Sequence, residues 1–551
     1  MSSQTAPASL NNLDPIDQEY LRAEQMLSGG QLNEAAAICQ GILETNPNYA
    51  RGYFFLGKIY NAVGNVDKTL EFANRAIELS PQDDASFFYL KGNALLQKDR
   101  LDEAEIALKH ALTLNRSFPL AALFLGTICI KKNETKRAHE YLNMAANLGL
   151  EAESLEQRAL LFQNEGRKDE AMAALNRVIE LRPDHPTPYV LRGNLHMDME
   201  HVSAAEQDAM HALSLNRNHE RAWVLATLVA SHKKNYEEAL IAIQQAIRVN
   251  PEDMQSWHLL ARTLMRAGRV PDSIEIYKEI LNRKPQDSVA LQQLPSLLIV
   301  MGQLDESRMY LDRALAVNPD SSVLNHFKAV LDGGNLEGAS ESYVQEVFDG
   351  YAQEFDYQLQ EKLQYKTPEK LAEALRKVMR LEGDASAELS LLDLGCGTGL
   401  GAVALKSLTT RRVGMDLSPK MLEKARARNL YDELHTAEIK AYLTSENRTF
   451  DLVAAVDVFV YIGNLAPIFE ATRAVLTQTG YFAFSVERDD SADKGYTLRT
   501  SGRFAHSAEY LKGLADQYGY KIELIEPSVI RYEANQPMEG YLVILTLKGS
   551  A

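Results

Sequence analysis

Leu391-Leu392-Asp393-Leu394-Gly395-Cys396-Gly397-Thr398-Gly399-Leu400 reads as a strand that ends abruptly in a turn. Two leucines, an acid and a leucine form the buried end of the strand. Three glycines at alternate positions let the backbone turn sharply into a helix that starts near Gly401. Side chains at such a turn would block a ligand, so repeated glycine implies that something lies against the backbone. Twenty-one residues past Gly395, Asp416 closes a second short strand, Arg412-Val413-Gly414-Met415-Asp416. An acid at that distance from a glycine-rich strand–turn–helix is placed to accept hydrogen bonds from ribose hydroxyls. The expected ligand therefore carries a nucleoside.

A dinucleotide fingerprint has the spacing G-x-G-x-x-G, with a pyrophosphate at the helix N-terminus. Here the spacing is G-x-G-x-G, with an acid two residues before the first glycine. The Asp393 carboxylate would repel phosphate but suits the ammonium of a methionine moiety, directly or through water. Together Asp393 and the glycines resemble motif I of the class I S-adenosylmethionine-dependent methyltransferases; the alternative is a tight turn that is merely rich in glycine. The resemblance implies S-adenosylmethionine as cofactor and S-adenosylhomocysteine as product. It places Asp393, Gly395, Cys396, Gly397, Gly399, Asp416 and Leu417 against the cofactor.

The remainder of the C-terminal third fits that family. Phe450 to Asp457 reads as a fourth buried strand ending in an acid, and Thr479 to Glu487 as a fifth. Lys521-Ile522-Glu523-Leu524-Ile525 and the apolar run Tyr541 to Leu547 complete the pattern. The expectation is an α/β domain over residues 340–551, a seven-stranded Rossmann-like sheet. By resemblance, Glu438 after the third strand lies near the adenine amino group, or else is a solvated acid at a strand end. Asp457 and Tyr461 follow the fourth strand, where the superfamily builds its methyl-transfer pocket. Gly495 to Ser507 combines glycine, arginine, aromatic and histidine residues and reads as a substrate-facing loop or short hairpin. In it His506 is a candidate general base and Arg503 a candidate anchor for a carboxylate; Tyr461 is a second catalytic candidate. A structural or helix-capping imidazole is the competing reading of His506.

The N-terminal part follows a different rule. Prolines 47, 81, 183, 251, 285 and 319 are separated by 34, 102, 68, 34 and 34 residues, every interval a multiple of 34. Small residues recur twenty-four positions before several of these prolines, at Ala23, Gly57, Ala159 and Ala261, and Gly92, Gly126 and Gly193 keep the phase within a residue. Ala35, Ala104, Ala138, Ala171, Ala205 and Ala239 form a second column, where paired helices must approach closely. The period and the pattern Tyr53-Phe54-Phe55-Leu56-Gly57-Lys58-Ile59-Tyr60 resemble the tetratricopeptide repeat. About nine helical hairpins are expected from Asp14 to Ser321, with a closing helix near Val323–Leu331, giving an all-α solenoid over residues 14–332. Such hairpins stack because none buries its apolar face alone, and the stack lines a groove suited to a peptide or helix. Asn93 and Asn194 are candidate groove residues, with solvated polar groups as the alternative. Pro295, in the small-residue slot of the last repeat, is expected to kink or shorten its helix.

Leu331 to Ser340, rich in glycine and out of phase with the repeats, marks the domain boundary. Beyond it Phe348-Asp349-Gly350-Tyr351-Ala352-Gln353-Glu354-Phe355-Asp356 resembles the lead-in of methyltransferases joined to such repeats, bacterial ones included. Tyr351 and Phe355 share a helix face and are expected either to cover the sulfonium, which favours an aromatic wall, or to pack on the sheet.

Global properties narrow the setting. The chain of 551 residues carries a formal charge of −17, and residues 341–551 hold 24 Lys/Arg against 31 Asp/Glu. Neither part offers the basic face of a nucleic-acid binder. The clusters Lys131-Lys132, Lys136-Arg137 and Lys424 to Arg428 read as solvated helix faces. The N-terminus shows neither an apolar run nor a basic cluster, and no stretch approaches a membrane span. Three scattered cysteines suggest a reducing cytoplasm, and the twelve histidines form no cluster of metal-ligand spacing. The favoured expectation is a cytoplasmic methyltransferase whose solenoid recruits a protein or peptide acceptor. The alternatives are a small-molecule methyltransferase whose repeats bind a partner or carrier, and a non-catalytic scaffold.

Overall fold

The computed structural model describes residues 15–80, 84–333, 336–351 (Tyr351 by its backbone alone), 365–383, 385–491, 495–533 and 536–549. The chain divides into two compact units, Met1–Leu259 and Leu260–Ala551. Among the described residues, nine pairs of 13- and 14-residue helices run from Pro15–Ser28 to Leu304–Val317, followed by a closing helix, Ser322–Leu331. None of the described helices is long and apolar enough to cross a membrane.

Within the first unit the pairs form because each helix is apolar on one side and has a small residue where its partner crosses. A Cβ added to Gly92 on the helix Ala85–Gln97 would lie 2.6 Å from Leu108 Cγ on Leu101–Leu114. Ala35, Ala104, Ala138, Ala171, Ala205 and Ala239 are all fully buried, as their phase requires. The periodic prolines have a specific partner as well. Tyr53 Oη donates to the Pro47 carbonyl at 3.1 Å, Tyr189 Oη to Pro183 at 3.0 Å and Trp257 Nε1 to Pro251 at 2.9 Å. Trp223 Nε1 makes the same bond, 2.8 Å, to the carbonyl of Arg217, where the repeat has no proline. A polar ring tip six residues beyond the turn residue, at the fourth position of the next helix, thus satisfies the turn carbonyl.

In the second unit the helix carrying Pro295 spans Ser288–Val300, 13 residues long. The expected shortening does not occur. Pro295 is buried, and its carbonyl accepts from Ser307 Oγ at 2.9 Å, the bond that Ser273 Oγ makes to Ala261 one repeat earlier. Packing and this side-chain bond outweigh one missing backbone N–H. The expected boundary at residues 332–340 lies inside this unit, and the last repeats belong with the sheet.

Among the described residues nine strands form the sheet: β1 Leu389–Leu394, β2 Thr409–Asp416, β3 Glu433–Thr436, β4 Phe450–Ala455, β5 Leu476–Arg488, β6 Tyr496–Leu498, β7 Phe504–His506, β8 Tyr520–Glu533 and β9 Gln536–Leu547. Their order is β3-β2-β1-β4-β5-β7-β6, while β9 pairs antiparallel with both β5 and β8. The two strands beyond the expected seven are β6 and β7, a hairpin between residues 496 and 506. The end of β5, Glu487 and Arg488, pairs with β7, and its body pairs with β9 over Tyr481–Glu487.

Alternation along the central strands explains why both faces are covered. Val453, Phe482, Phe484, Val543 and Leu545 face one hydrophobic cluster; Leu452, Ala454, Ala483, Leu542 and Ile544 face the other. Leu371 and Leu375 of the helix Thr367–Val378 close the second face. Each leucine so buried is worth about 1.5–3 kcal/mol over exposure.

Candidate functional site

β1 is flanked by β2 on one side and β4 on the other, so chain direction through the sheet reverses beside its carboxyl end. Open parallel sheets bind ligands at that position. A cavity of about 380 Å³ opens there, lined by Asp393, Gly395–Gly397, Asp416, Leu417, Glu438, Asp457, Tyr461, Arg503 and Arg531, among others.

The turn is left-handed at each of its three glycines: φ is 64° at Gly395, 54° at Gly397 and 92° at Gly399. A Cβ on Gly395 would meet Val458 Cγ2 at 2.6 Å, so any side chain there would push against the wall of the cavity. Asp416 holds the turn in place. Its Oδ2 accepts from Gly397 N at 2.9 Å and its Oδ1 from Ser418 N at 2.8 Å. Burial raises its pKa despite those two backbone bonds. Asp393 is 2% exposed and accepts from Tyr431 Oη at 2.6 Å. Burial pushes its carboxyl up to about 7, against the lowering effect of the Tyr431 bond. Cys396 lines the cavity as a buried thiol, raised well above its usual range by burial.

Glu438 lines the cavity at the end of β3, and both its oxygens also cap the helix Ile439–Ser445, accepting from Lys440 N at 2.9 Å and Ala441 N at 2.6 Å. A cover lies over the turn. Val344, Val347 and Phe348 of the helix Glu341–Tyr351 face the cavity, and Phe348 packs edge-on against Tyr461 at 5.4 Å between centroids. Asp349 on the same helix accepts from Ser418 Oγ at 2.5 Å, which ties the cover to the segment after Asp416. The side chain of Tyr351, and Phe355 altogether, lie outside the described residues.

The far wall is built around Arg531, 1% exposed on β8. It donates to Asp457 Oδ1 at 2.8 Å, to Glu533 Oε1 at 2.8 Å and to Glu487 Oε1. Burial works against its charge, but the three acids hold the guanidinium protonated. Asp457 takes a left-handed φ of 58°, and its N–H bonds Ser485 Oγ at 2.8 Å. Arg503, on the β6–β7 hairpin, shares Glu533 with Arg531 and also lines the cavity.

His506 is a correction. It is fully buried outside the cavity lining, with Nε2 at 3.0 Å from the carbonyls of both Ile462 and Gly463. Burial lowers its pKa to about 4. The ring pins the hairpin to the segment after β4. Asn93 and Asn194 lie in the first unit: Asn93 Nδ2 bonds Asn61 Oδ1 at 3.4 Å, and Asn194 is half-buried. Tyr431 and Arg531 were not picked out from the sequence. A lone arginine in the strand Ser528-Val529-Ile530-Arg531 was the one available signal, since a cation in an apolar strand needs buried partners.

Residues 392–484 match a family model described as a methyltransferase domain. Residues 50–83, 85–118 and 152–185 match one tetratricopeptide-repeat model and 230–288 a second. The chain therefore joins tetratricopeptide repeats to a methyltransferase domain. Human protein O-mannosyl-transferase TMTC1 is 24% identical over 217 residues, 39% of this chain and 25% of that protein. Human protein O-mannosyl-transferase TMTC3 is 24% identical over 282 residues, 50% of this chain and 29% of that protein. Anaphase-promoting complex subunit 7 of Dictyostelium discoideum is 25% identical over 245 residues, 43% of this chain and 41% of that protein. The chain thus spans well under half the length of these relatives. Among solved structures, a tetratricopeptide repeat protein from Parabacteroides merdae aligns at 16% identity over 45% of this chain and 98% of that one, with a TM-score of 0.40. YrrB, a repeat protein with an unusual peptide-binding site, aligns at 22% identity over 34% of this chain and 97% of that one, with a TM-score of 0.25.

Proposed function

We propose that this protein transfers a methyl group from S-adenosylmethionine to an acceptor on a protein or peptide recruited by its repeats, in the cytoplasm. The observation that carries the reading is the convergence of Asp393, the Gly395–Gly399 turn and Asp416 on one cavity at the carboxyl ends of β1 and β2. These residues fit the cofactor. The turn borders the cavity with bare backbone, and a Cβ at Gly395 would press on Val458, which lines the same cavity. Asp393 is a buried carboxylate suited to an ammonium, and Asp416 offers its remaining lone pairs to ribose hydroxyls.

Bound S-adenosylmethionine supplies an already activated methyl, so the chain contributes positioning and exclusion of water. Asp416, fixed by Gly397 N and Ser418 N, orients the ribose without rotamer freedom. Glu438 and Ile439 border the adenine side. Val344, Val347 and Phe348 form the apolar cover that keeps water out, and Tyr461 and Arg503 face the acceptor.

The mannosyl-transferase names are left with the proteins that carry them: the overlap is 25–29% of their length. The match of residues 392–484 to a methyltransferase model supports methyl transfer instead. Calorimetric titration with S-adenosylmethionine and S-adenosylhomocysteine tests the reading. Saturable binding that is lost in Asp416→Ala is expected; absence of binding to both ligands overturns it.

A further inference from the structure

The acceptor side of the cavity has an unusual charge arrangement. Each of the three nitrogens of Arg531 is bonded to an acid. Glu487 is also shared with Arg499, whose Nη1 lies 3.2 Å away. Glu533 is shared between Arg531 and Arg503. Arg499, Arg503 and Arg531 therefore balance Asp457, Glu487 and Glu533. Within this balanced group Arg503 donates one hydrogen bond among the described residues, through Nη1 to Glu533, and its side chain keeps 27% exposure where it borders the cavity. Among the described residues Nε and Nη2 have no acceptor, and the side chain borders the same cavity as Tyr461. A guanidinium edge with two parallel N–H groups matches a carboxylate in geometry and charge.

The chemistry of the wall points the same way. An ammonium, hydroxyl or thiol acceptor must lose a proton in the reaction, and a carboxylate has none to lose. His506 is committed to two backbone carbonyls and His326 to the Gly502 carbonyl, and the described lining residues include no histidine or lysine. Asp457 is engaged by Arg531 Nη1 at 2.8 Å.

We propose that the acceptor is a carboxylate, an acidic side chain or chain terminus of a peptide, held by Arg503, and that the product is a methyl ester. This rests on the methyltransferase reading above. One carboxylate oxygen forms a bond to the methyl carbon while the carbon–sulfur bond breaks. The electron pair stays on sulfur, giving neutral S-adenosylhomocysteine and a neutral ester, and no proton is taken up or released at the reacting oxygen. Arg503 is the specificity residue, and Glu533 with Arg531 positions it.

The test incubates the full chain with methyl-tritiated S-adenosylmethionine and a tryptic digest of total cell protein, which offers carboxylates, amines, hydroxyls and thiols together. Labelled methanol released by mild alkali reports esters. Expected is alkali-labile label that falls at least tenfold in Arg503→Met and is partly restored in Arg503→Lys. Affinity for S-adenosylhomocysteine should stay within twofold of wild type in both variants, which also shows that they fold. Alkali-stable label, or no label from a protein that binds the cofactor, overturns the carboxylate acceptor. A loss of S-adenosylhomocysteine affinity in Arg503→Met overturns it too, by assigning the guanidinium to the cofactor. Failure of wild type to bind either form of the cofactor instead removes the underlying reading.

Discussion

His326 Nε2 lies 2.9 Å from the carbonyl oxygen of Gly502, so the closing helix of the repeats is bonded to the turn of the β6–β7 hairpin. The same imidazole stacks on Tyr343 of the cover helix, with ring centroids 3.9 Å apart and planes 19° apart. Ser322 Oγ adds a second tie to the cover helix, donating to Glu346 at 2.6 Å. One buried ring thus joins the last repeat element, the helix over the cavity and the hairpin that carries Arg503. Removing it as His326→Ala should cost about 2 kcal/mol, one buried hydrogen bond plus one aromatic contact. Acceptor turnover should fall further than cofactor affinity, because Gly395 and Asp416 are untouched. Denaturant unfolding and calorimetry with S-adenosylhomocysteine check this; unchanged stability means that the contact carries no weight.

Close packing of the repeats gives a sharper steric test. Gly92→Ala places a Cβ 2.6 Å from Leu108 Cγ and 2.9 Å from its Cδ2. Leu108 is itself fully buried and has no open direction in which to move. A loss of about 1–3 kcal/mol is expected, as for other overpacked cores, with no change in cofactor affinity. Gly41→Ala is the control: nothing lies within 4 Å of its added Cβ, and it should be neutral or stabilising. Equal effects of the two changes in thermal unfolding would refute the steric account.

The repeats and the glycine turn that lines the cavity were legible because both are written in local spacing. A 34-residue period survives substitution of individual positions, and G-x-G-x-G after an apolar strand is set by backbone geometry that glycine alone satisfies cheaply. Asp457, Tyr461 and Arg503 were legible as residues of the far wall, but the ion pairs that build it were not, because they bridge 44 and 74 residues, Glu487–Arg531 and Asp457–Arg531. No periodicity encodes such pairs. His506 misled for a related reason. A histidine beside glycine and arginine looks chemical in sequence, and only the fold shows that its nitrogen is taken by two carbonyls. Pro295 misled because propensity describes an isolated helix, whereas this one is packed on both sides.

His506 predicts an acid limit to stability. Its folded pKa of about 4 lies below the ordinary 6.5, so the unfolded chain binds the proton more tightly. The stabilisation is complete above about pH 6.5 and is lost as pH falls toward 4, amounting to ~3 kcal/mol for this one group. Protonation would also place a donor on the buried Nδ1, which has no hydrogen-bond partner. Wild type should therefore lose about 3 kcal/mol more than His506→Gln between pH 7.5 and 4, although the variant begins less stable. Parallel losses in the two proteins would show that acid sensitivity arises elsewhere.

Asp393 predicts a proton linked to cofactor binding. Its carboxyl, pushed up to about 7 by burial, is half protonated near neutral pH in the ligand-free protein. Because this folded pKa is raised above that of the unfolded chain, ionisation costs folded-state stability as pH rises through 7. A bound ammonium reverses the cost by favouring the carboxylate, so binding must release a proton. Affinity for S-adenosylhomocysteine should fall about tenfold from pH 8 to pH 6, one pKa unit below the midpoint, and level off above pH 8. Near pH 7 about half a proton should be released per ligand bound, visible as a difference in binding enthalpy between buffers of unlike ionisation heat. Asp393→Asn should bind more weakly at pH 8 and lose both the pH dependence and the buffer effect. A pH-independent affinity in wild type would mean that Asp393 already carries its charge before the ligand arrives, or that the ammonium sits elsewhere.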